Sequence, residues 1–443
     1  MKTKKQNMLK VFLFIILTSL TILVRTVNIG KIPGNLSPDE IDTLRTFIEF
    51  IHRQNPKTTG YNWNGAPFLN AYLIGWFWLA SGKTYAGIKI ASIIFSTLAV
   101  LAFYIYSKKI TKNNGLRLLG SLLLATDPWF LNFSRSGWEN IFNAFTLMLV
   151  LIGLEKLKKN KLNLTPLLLL IIGSTLGFYF YHPGKLFIPV TFIFITFNFF
   201  KKTTRINLFY FLAFIISTGA LILPQLISMA SPSNQLRSLG RIKNVSVLHY
   251  SDTKKEVIKN VKKNVSGFLF FRKKDFNIGL NSRYVPLDDN IIYYLLVPFY
   301  LLGLIISLKK HKKLLALYFL TLLPIQIFSR GTPNAARAVH VVPVIYAFIL
   351  IGINWITNKI NQFSNKIFIL KPLLPVLIFI FLVSTCFINV KRYFLWIQNE
   401  KTLKGREPAI WREEYYEWLS ATRKAVKEKG TSFSVYDWKN MKE

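Results

Sequence analysis

The chain contains little cysteine and little acid. A single cysteine among 443 residues, Cys386, excludes a disulfide framework and any cysteine-rich metal site. Charged residues make up 17% of the sequence, below the roughly 25% of ordinary soluble domains. The sequence also has no P-loop, HExxH, GxSxG or dinucleotide-binding GxGxxG motif. The signatures of a soluble nucleotide-sugar or ATP domain are therefore missing.

Apolar residues instead dominate the chain. They account for 51% of it, including 38 Phe, and the mean hydropathy is +0.33. A soluble globule of this size would expose much of that surface, so we exclude a soluble enzyme, and the same composition excludes disorder. The 57 basic and 20 acidic residues give a net charge of +37. In a soluble protein this would suggest a nucleic-acid partner, but in a membrane protein it indicates lysines in cytoplasmic loops and against anionic lipid.

Long apolar runs recur along the sequence and predict an all-α polytopic membrane protein. Such runs cross about 30 Å of hydrocarbon as helices, and they lack the alternation typical of barrel strands. About eleven transmembrane helices are predicted, at residues 9–27, 86–106, 116–133, 138–154, 165–181, 186–200, 208–229, 291–308, 314–328, 339–356 and 369–388.

The lysine clusters predict the topology. A shorter apolar stretch, residues 67–80, is too short to span and carries Trp76, Trp78 and Tyr72, which favours a helix lying at the headgroup level. With that stretch left out, the basic clusters at 2–10, 108–117, 156–161, 201–205 and 309–313 all fall on one face, which the positive-inside rule makes cytoplasmic. We therefore predict a multi-pass plasma- or inner-membrane protein with a cytoplasmic N-terminus and a retained first helix.

This topology divides the chain into a membrane domain and a tail. Residues 1–390 form the membrane domain, with outer loops at 28–85 and 230–290, and 391–443 form a short polar extracytoplasmic tail without a recognisable soluble domain. In the second outer loop, apolar residues recur every three to four positions among five lysines, which predicts a basic amphipathic helix lying on lipid phosphates. The apolar positions are Val257, Val261, Val265 and Phe268.

The first candidate site is Ser37-Pro38-Asp39-Glu40, directly after the first span. One interpretation is structural: Ser37 is the N-cap, Pro38 takes the first helical position and Glu40 completes a capping box. The functional interpretation is that a carboxylate in a first helical turn, held ionised by the helix N-terminus, accepts a proton from an acceptor hydroxyl. These residues alone leave both interpretations open.

Two further candidates lie in outer connections. Arg135 at the outer interface suits a phosphate, with Glu139 able to orient it, although a snorkelling arginine is an equally simple explanation. Tyr181, His182 and Lys185 occupy the turn between the fifth and sixth predicted spans. Proline and glycine explain that turn without a function, and aromatic residues are expected at an interface.

The fourth candidate opens the tenth predicted span. Arg337 and His340 are spaced i, i+3 and share a helix face, and such residues at the start of a span are costly unless they face a cavity or a partner. Arg330 and Arg337 together would grip a lipid-linked phosphate. The alternative is ordinary anchoring at the headgroups.

Taken in order, these motifs resemble bacterial members of the GT-C glycosyltransferases. The similar branch contains protein O-mannosyltransferases and lipid A aminoarabinose transferases (family 39/83-like), and the resemblance covers residues 9–343. The motifs that carry it are Pro38-Asp39-Glu40, Ile88-Lys89-Ile90-Ala91-Ser92, Pro128-Trp129, Ser134-Arg135 with Glu139, Tyr179-x-Tyr181 before Lys185, Phe268-Leu269-Phe270-Phe271 and Thr332-Pro333-x-Ala335-x-Arg337.

The resemblance implies transfer of a sugar from a polyprenyl phosphate to a lipid, glycan or protein acceptor on the extracytoplasmic face. Asp39 would be the general base, with Glu40 beside it at the acceptor or at a divalent cation, which stays open. Arg135, Arg337 and Lys185 would contact the donor phosphate or sugar. Cationic side chains would stabilise the leaving phosphate while Asp39 takes the acceptor proton from the opposite side, in one displacement with inversion.

Three positions depart from the pattern of the resembled family. Lys185 stands where arginine is frequent, Asn334 where histidine is frequent, and Lys273-Lys274-Asp275 replaces a common Gly-Asp. The main rival hypothesis is a polytopic transporter or lipid flippase, and a second is a catalytically inactive membrane scaffold. Transporters place ionisable residues near the bilayer midplane, whereas the notable charges here are predicted at one surface.

Overall fold

A computed structural model describes residues 2–52, 67–157, 163–201, 205–232, 246–248, 252–269, 283–286, 291–364, 370–430 and 432–442. Of the protein's described residues, 81% are helical. Its helices are α1 (Lys2–Thr26), α2 (Pro38–His52), α3 (Phe68–Ala80), α4 (Ile90–Ser107), α5 (Asn114–Thr126), α6 (Pro128–Ser134), α7 (Phe142–Lys156), α8 (Leu164–Phe180), α9 (Phe187–Lys201), α10 (Arg205–Ala230), α11 (Thr253–Leu269), α12 (Val297–Lys310), α13 (Lys312–Ile327), α14 (Ala335–Ala338), α15 (Val342–Ser364), α16 (Leu370–Ile397), α17 (Glu400–Lys404), α18 (Tyr415–Lys429) and α19 (Val435–Lys442). Two short strands, β1 (Asn35–Leu36) and β2 (Ile410–Trp411), pair antiparallel.

The helical, multi-pass architecture predicted from the apolar runs is confirmed. Among the described residues, five helices are long and apolar enough to cross a membrane, or up to seven if each bent helix pair counts as one span. The predicted count of eleven is therefore not established. Parts of the features named above lie outside the described residues, including 158–161 and 202–204 of the basic clusters, Phe270, Phe271 and 273–275.

The third predicted span, residues 116–133, is not one continuous helix. Helix α5 ends at Thr126, and the side chain of Asp127 then accepts a hydrogen bond from the Phe130 amide at 2.7 Å, which caps α6. Pro128 follows at the first position of the new helix, where its fixed φ and missing N–H are tolerated. Asp-Pro is a helix-start signal, and here it begins a new helix within a predominantly apolar run.

Two ends of the helical bundle can be distinguished from side-chain contacts. Near the start of α4, the Ser92 hydroxyl donates to the Trp138 carbonyl at 3.2 Å. The 18 residues of α4 then rise about 27 Å to the lysine-rich turn after Ser107. At that far end, Lys313 Nζ lies 2.6 Å from the Leu154 carbonyl. The described basic connections at 108–112 and 309–313 therefore lie at the end opposite Trp138.

The segment between α1 and α4 contains two helices that pack on one another. A Cβ at Gly75 of α3 would clash with the ring of Phe47 on α2, so glycine permits the close approach. The predicted helix over residues 67–80 forms as α3. Of its three aromatic residues expected at the headgroups, Trp76 is exposed, whereas Tyr72 and Trp78 are buried. Trp78 is held inward by its hydrogen bond to the Tyr415 hydroxyl at 2.7 Å.

The C-terminal segment folds back onto this first segment. Helix α16 runs through residue 390, where the tail was expected to begin, and ends at Ile397. Beyond it, β2 pairs with β1 in the register Asn35↔Trp411 and Leu36↔Ile410, and the Arg412 amide donates to the Gly34 carbonyl at 3.0 Å. The tail is thus packed against the start of α2.

The amphipathic helix predicted in the second outer loop forms as α11. Its Phe268 packs edge-on against Trp129, with ring centroids 6.1 Å apart. Ile258, Val261 and Val265 instead remain exposed. The apolar face of α11 is therefore divided between the protein core and the surface.

Candidate functional site

The start of α2 is built by the predicted helix-start residues. The Ser37 amide and hydroxyl both donate to Glu40 Oε2 at 2.9 Å, which is the reach-back half of a capping box. Glu40 is fully buried, and its Oε1 accepts the Gly137 amide at 2.8 Å. Arg406 completes the set with an ion pair to Oε2 at 2.8 Å. All these contacts fix the first turn of α2, which carries Asp39.

Asp39 points in a different direction from Glu40. Its Oδ2 lies 3.3 Å from the guanidinium of Arg283, in the segment after α11, and its side chain retains 25% exposure. The Thr43 hydroxyl donates to the Asp39 backbone carbonyl at 2.9 Å and also reaches Glu139 Oε2 at 3.3 Å. The two carboxylates are adjacent in sequence, yet they lie in two different environments.

Asp39 lines a cavity of about 410 Å³. The wall combines residues from the start of α2, the α6–α7 connection, the α8–α9 connection, the segments on either side of α11 and the α13–α14 region. They are Asp39, Trp138, Tyr181, His182, Pro183, Lys185, Leu186, Ser246, Tyr284, Pro324, Ile325, Phe328, Ser329, Asn334, Ala336 and Arg337. The cavity includes Trp138 and so lies at the end of the bundle opposite the basic connections.

Lys185 supplies one cation of this wall. It lies in the short 3₁₀ helix His182–Leu186, which connects α8 to α9. Burial disfavours its charged form and lowers the pKa of Lys185 to about 8. The amine is therefore an ammonium at neutral pH that loses its proton in mildly alkaline solution.

Arg337 supplies the second cation, from the start of α14. The Asn334 side chain caps this helix by accepting the Arg337 amide at 2.9 Å. The Arg337 guanidinium donates to the Arg330 carbonyl at 3.0 Å, which holds the side chain along its own loop. The position frequently occupied by histidine in the resembled family thus carries a capping asparagine here.

Five of the ten predicted site residues meet at the cavity: Asp39, Tyr181, His182, Lys185 and Arg337. The other five are not among the described lining residues. They are Glu40, Arg135, Glu139, Arg330 and His340. Glu139 is buried behind Thr43, Arg330 is exposed, and His340 is buried with its Nδ1 2.9 Å from the Arg337 carbonyl.

Arg135 contacts the end of α1 and is not among the described residues that line the cavity. Its fully buried guanidinium donates to four backbone carbonyls at 2.7–3.2 Å and lies over the Phe394 ring at 5.0 Å. The accepting residues are Val24, Arg25, Val27 and Ile32. Arg135 directly follows an apolar helix, and this sequence context does not distinguish a structural arginine from a phosphate ligand.

The structure adds residues that the sequence did not single out. Arg283 pairs with Asp39, and Tyr284 lines the cavity beside it, where burial, reinforced by the Asp39 charge, raises the pKa of the phenol to about 12. Trp138 lines the same wall, and Arg406 secures Glu40. No local motif marks Arg283 or Arg406, because each meets its partner only through the tertiary fold.

The described residues do not build a metal site at Asp39. No group of three or more His, Cys, Asp or Glu side chains in the described ranges could hold a metal ion. Glu40, the expected second ligand, is bound by Arg406, Ser37 and Gly137. A lone carboxylate that is already paired with Arg283 falls short of the several oxygen ligands that hard divalent cations take.

The protein has the GT-C fold, which confirms the resemblance at the level of the fold. It is similar to ArnT from Cupriavidus metallidurans bound to undecaprenyl phosphate (TM-score 0.55, 9% identity, 93% of this chain and 79% of that one). It is also similar to the Archaeoglobus fulgidus oligosaccharyltransferase in complex with Zn and sulfate (TM-score 0.51, 12% identity, 86% of this chain). The match spans only about half, 52%, of that second protein. No family model and no curated protein matches the sequence.

Proposed function

We propose that this protein is an integral-membrane glycosyltransferase that moves a sugar from a polyprenyl phosphate to an acceptor hydroxyl. One observation carries the proposal: the Asp39 carboxylate and the cations Lys185 and Arg337 line a single cavity. The GT-C fold and a similar structure with bound undecaprenyl phosphate support the lipid-linked donor. The acceptor is a lipid, a glycan or a protein.

The arrangement suits one displacement with inversion at the anomeric carbon. Lys185 and Arg337 would receive the donor phosphate and stabilise the charge that develops on it as the glycosidic bond breaks. Asp39, at the start of a helix, would accept the proton of the acceptor hydroxyl on the other side of the sugar. Arg283 contacts Oδ2 of Asp39 and would orient the carboxylate for that transfer.

The cavity would open on the extracytoplasmic face of the plasma or inner membrane, with the N-terminus in the cytoplasm. The support is that the described basic connections at 108–112 and 309–313 lie about one span away from Trp138. The positive-inside bias assigns that basic end to the cytoplasm. Charges gathered at one end also favour an enzyme over a transporter, whose ionisable residues lie near the midplane.

Replacement of the proposed base tests this function. Cells lacking the protein are complemented with wild type, Asp39→Asn or Asp42→Asn, and their lipid-linked sugars and envelope glycans are analysed by mass spectrometry. Asp42 is the matched control because it lies on the same helix but pairs with Arg45 at 2.9 Å, away from the cavity. We expect Asp39→Asn to accumulate the donor and lose the glycan at unchanged protein level. Full complementation by Asp39→Asn would exclude Asp39 as the base.

A further inference from the structure

A groove of about 590 Å³ lies on the C-terminal tail. It follows one face of α18, because its lining residues recur three or four positions apart along that helix. They include Tyr416, Ser420, Arg423, Lys424 and Lys427. The described residues of this α18 groove and those of the Asp39 cavity are entirely different. The groove is therefore a second site on the molecule.

The cations of the α18 groove have no acidic partner in the described part of the chain. Arg423, Lys424 and Lys427 form no ion pair there, and Glu428 is the one carboxylate on the described wall. Other cations of the tail each lie 2.6–3.0 Å from a carboxylate, namely Lys404, Arg406, Lys439 and Lys442. The groove thus keeps an excess of positive charge that the fold does not neutralise.

Two further basic side chains lie beside α18 and come from other parts of the chain. His52 ends α2, and Lys83 lies in the turn after α3. Burial lowers the pKa of the His52 imidazole, and the nearby charges of Arg423, Lys427 and Lys83 lower it further. Its Nε2 is buried without a hydrogen-bond partner among the described residues. The fold therefore gathers basic groups from three segments, and a bound anion would reduce their mutual repulsion.

An exposed aromatic ring accompanies these cations. Tyr416 is 60% exposed, and it is the only exposed large apolar residue among the 15 described residues of α18. Helix α11, in contrast, exposes Ile258, Val261 and Val265. A helix that lies in a membrane surface presents such an apolar face, which α18 lacks. A ring beside cations instead fits a chain that carries both sugar rings and anionic groups.

The α18 groove is coupled in space to the helix that carries Asp39. Helix α18 packs against α2. Because 13 positions separate Asp39 from His52 on α2, the two residues lie about 20 Å apart along its axis. A single sugar cannot reach both ends of that helix, whereas an extended glycan can.

We propose that the α18 groove binds an anionic glycan, a sugar polymer that bears phosphate or carboxylate groups, and that this glycan is the acceptor. Its role as the acceptor rests on the proposed function. Arg423 would bind an anionic group through paired N–H donors, and the neighbouring lysines would add charge. Tyr416 would pack against an adjacent sugar ring. The docked chain would then extend along α2 and present a hydroxyl to Asp39.

Binding of soluble polymers tests the proposal on the full-length protein in phosphatidylcholine nanodiscs. The probes are phosphorylated dextran, unmodified dextran of the same length and inorganic polyphosphate, all at physiological ionic strength. We expect phosphorylated dextran to bind at least about tenfold more tightly than unmodified dextran, because charge-assisted hydrogen bonds hold it. Equal binding of the two dextrans would overturn the proposal.

Variants assign the binding to the groove. Arg423→Gln/Lys427→Gln should weaken binding of phosphorylated dextran at least about tenfold. The control Lys401→Gln/Lys404→Gln removes the same charge from another exposed part of the tail and should change it less than about twofold. Equal losses in the two double variants would reduce the effect to net charge and overturn the site.

Tyr416→Ala separates a glycan from a bare anion. It should weaken binding of phosphorylated dextran and leave polyphosphate, which has no sugar ring, unchanged. If both probes bind Tyr416→Ala as they bind wild type, the groove recognises charge alone and the glycan assignment fails.

A phospholipid headgroup offers the same negative charge, so its contribution is measured separately. In a Cys386→Ser background, which removes the single cysteine, a fluorophore at Ser420→Cys should respond to phosphorylated dextran. It should not respond when phosphatidylglycerol replaces phosphatidylcholine in the nanodisc. A response to phosphatidylglycerol alone would assign the groove to the membrane surface and overturn the proposal.

The outcomes distinguish this inference from the proposed function. Asp39→Asn should bind phosphorylated dextran as wild type does, because Asp39 lies about 20 Å from the groove along α2. If it binds and Asp39→Asn also complements fully, the proposed function fails and the glycan site remains. If phosphorylated dextran does not bind while Asp39→Asn loses the envelope glycan, this inference fails and the proposed function remains.

Discussion

The guanidinium of Arg406 lies 2.8 Å from the carboxylate of Glu40, and both side chains are buried. Arg406 also donates to the Asn35 side chain at 2.9 Å, so it joins the tail to β1 and to α2 together. Glu40 also accepts a hydrogen bond from the amide of Gly137, the residue before Trp138. The C-terminal segment therefore helps to hold the carboxylate-bearing helix against the cavity wall.

Arg406→Met should destabilise the protein strongly. Removal of one partner leaves the Glu40 charge buried and uncompensated, which costs about 3–5 kcal/mol. Thermal unfolding of the detergent-solubilised protein measures the effect. Arg412→Met is the control, since that side chain is 42% exposed. The double variant Glu40→Gln/Arg406→Met should recover part of the loss, and an Arg406→Met variant as stable as wild type would show that the pair contributes little.

Arg135→Gln should affect stability rather than donor binding. The shorter neutral side chain cannot satisfy the four carbonyls at the end of α1, and we expect a loss of at least about 2 kcal/mol. Arg330→Gln, at an exposed position, should change stability by less than about 0.5 kcal/mol. Thermal unfolding and the affinity for sugar-free prenyl phosphate are measured side by side. A donor-binding defect in a fully stable Arg135→Gln protein would instead support the phosphate-binding role predicted from the sequence.

The pH dependence of donor binding should report Lys185. Because burial lowers its pKa to about 8, the ammonium form predominates below that pH and is lost as the pH rises through it. Affinity for sugar-free prenyl phosphate should therefore fall above about pH 8. In the complex, the negative charge of the bound phosphate favours the ammonium form and raises the pKa of Lys185 above its value in the free protein. Lys185→Arg keeps its charge in this range and should remove the decline. The same decline in Lys185→Arg would assign the titration to another group.

Helix α11 should rest on an anionic membrane surface. It carries five lysines and one glutamate, and Ile258, Val261 and Val265 are exposed. With Cys386→Ser removing the only cysteine, a spin label at Ile258→Cys should be more accessible to oxygen than to a polar nickel reagent in phosphatidylglycerol vesicles. A label at Lys404→Cys should show the reverse. Equal aqueous exposure of both labels would contradict the prediction.

The sequence by itself determined the helical membrane architecture, and it predicted a helix start at Ser37–Glu40 and the placing of the notable charges at one surface. Hydropathy, helix capping and the sign of charge in connections act over a few residues or one span, so a linear pattern records them. The sequence-based prediction of the third span treated Asp127-Pro128 as part of an apolar run, because a window as long as a span averages over a helix start.

The tertiary structure alone decided which charges face the cavity and which hold the fold together. Asp39 and Glu40 are neighbours in sequence, yet one meets Arg283, 244 positions away, and the other meets Arg406, 366 positions away. Burial and long-range pairing depend on how helices and loops return to one another, and no local spacing encodes that return. For the same reason the sequence left Arg135 as either a phosphate ligand or a side chain snorkelling to the headgroups, and only the tertiary fold shows the four carbonyls around its guanidinium.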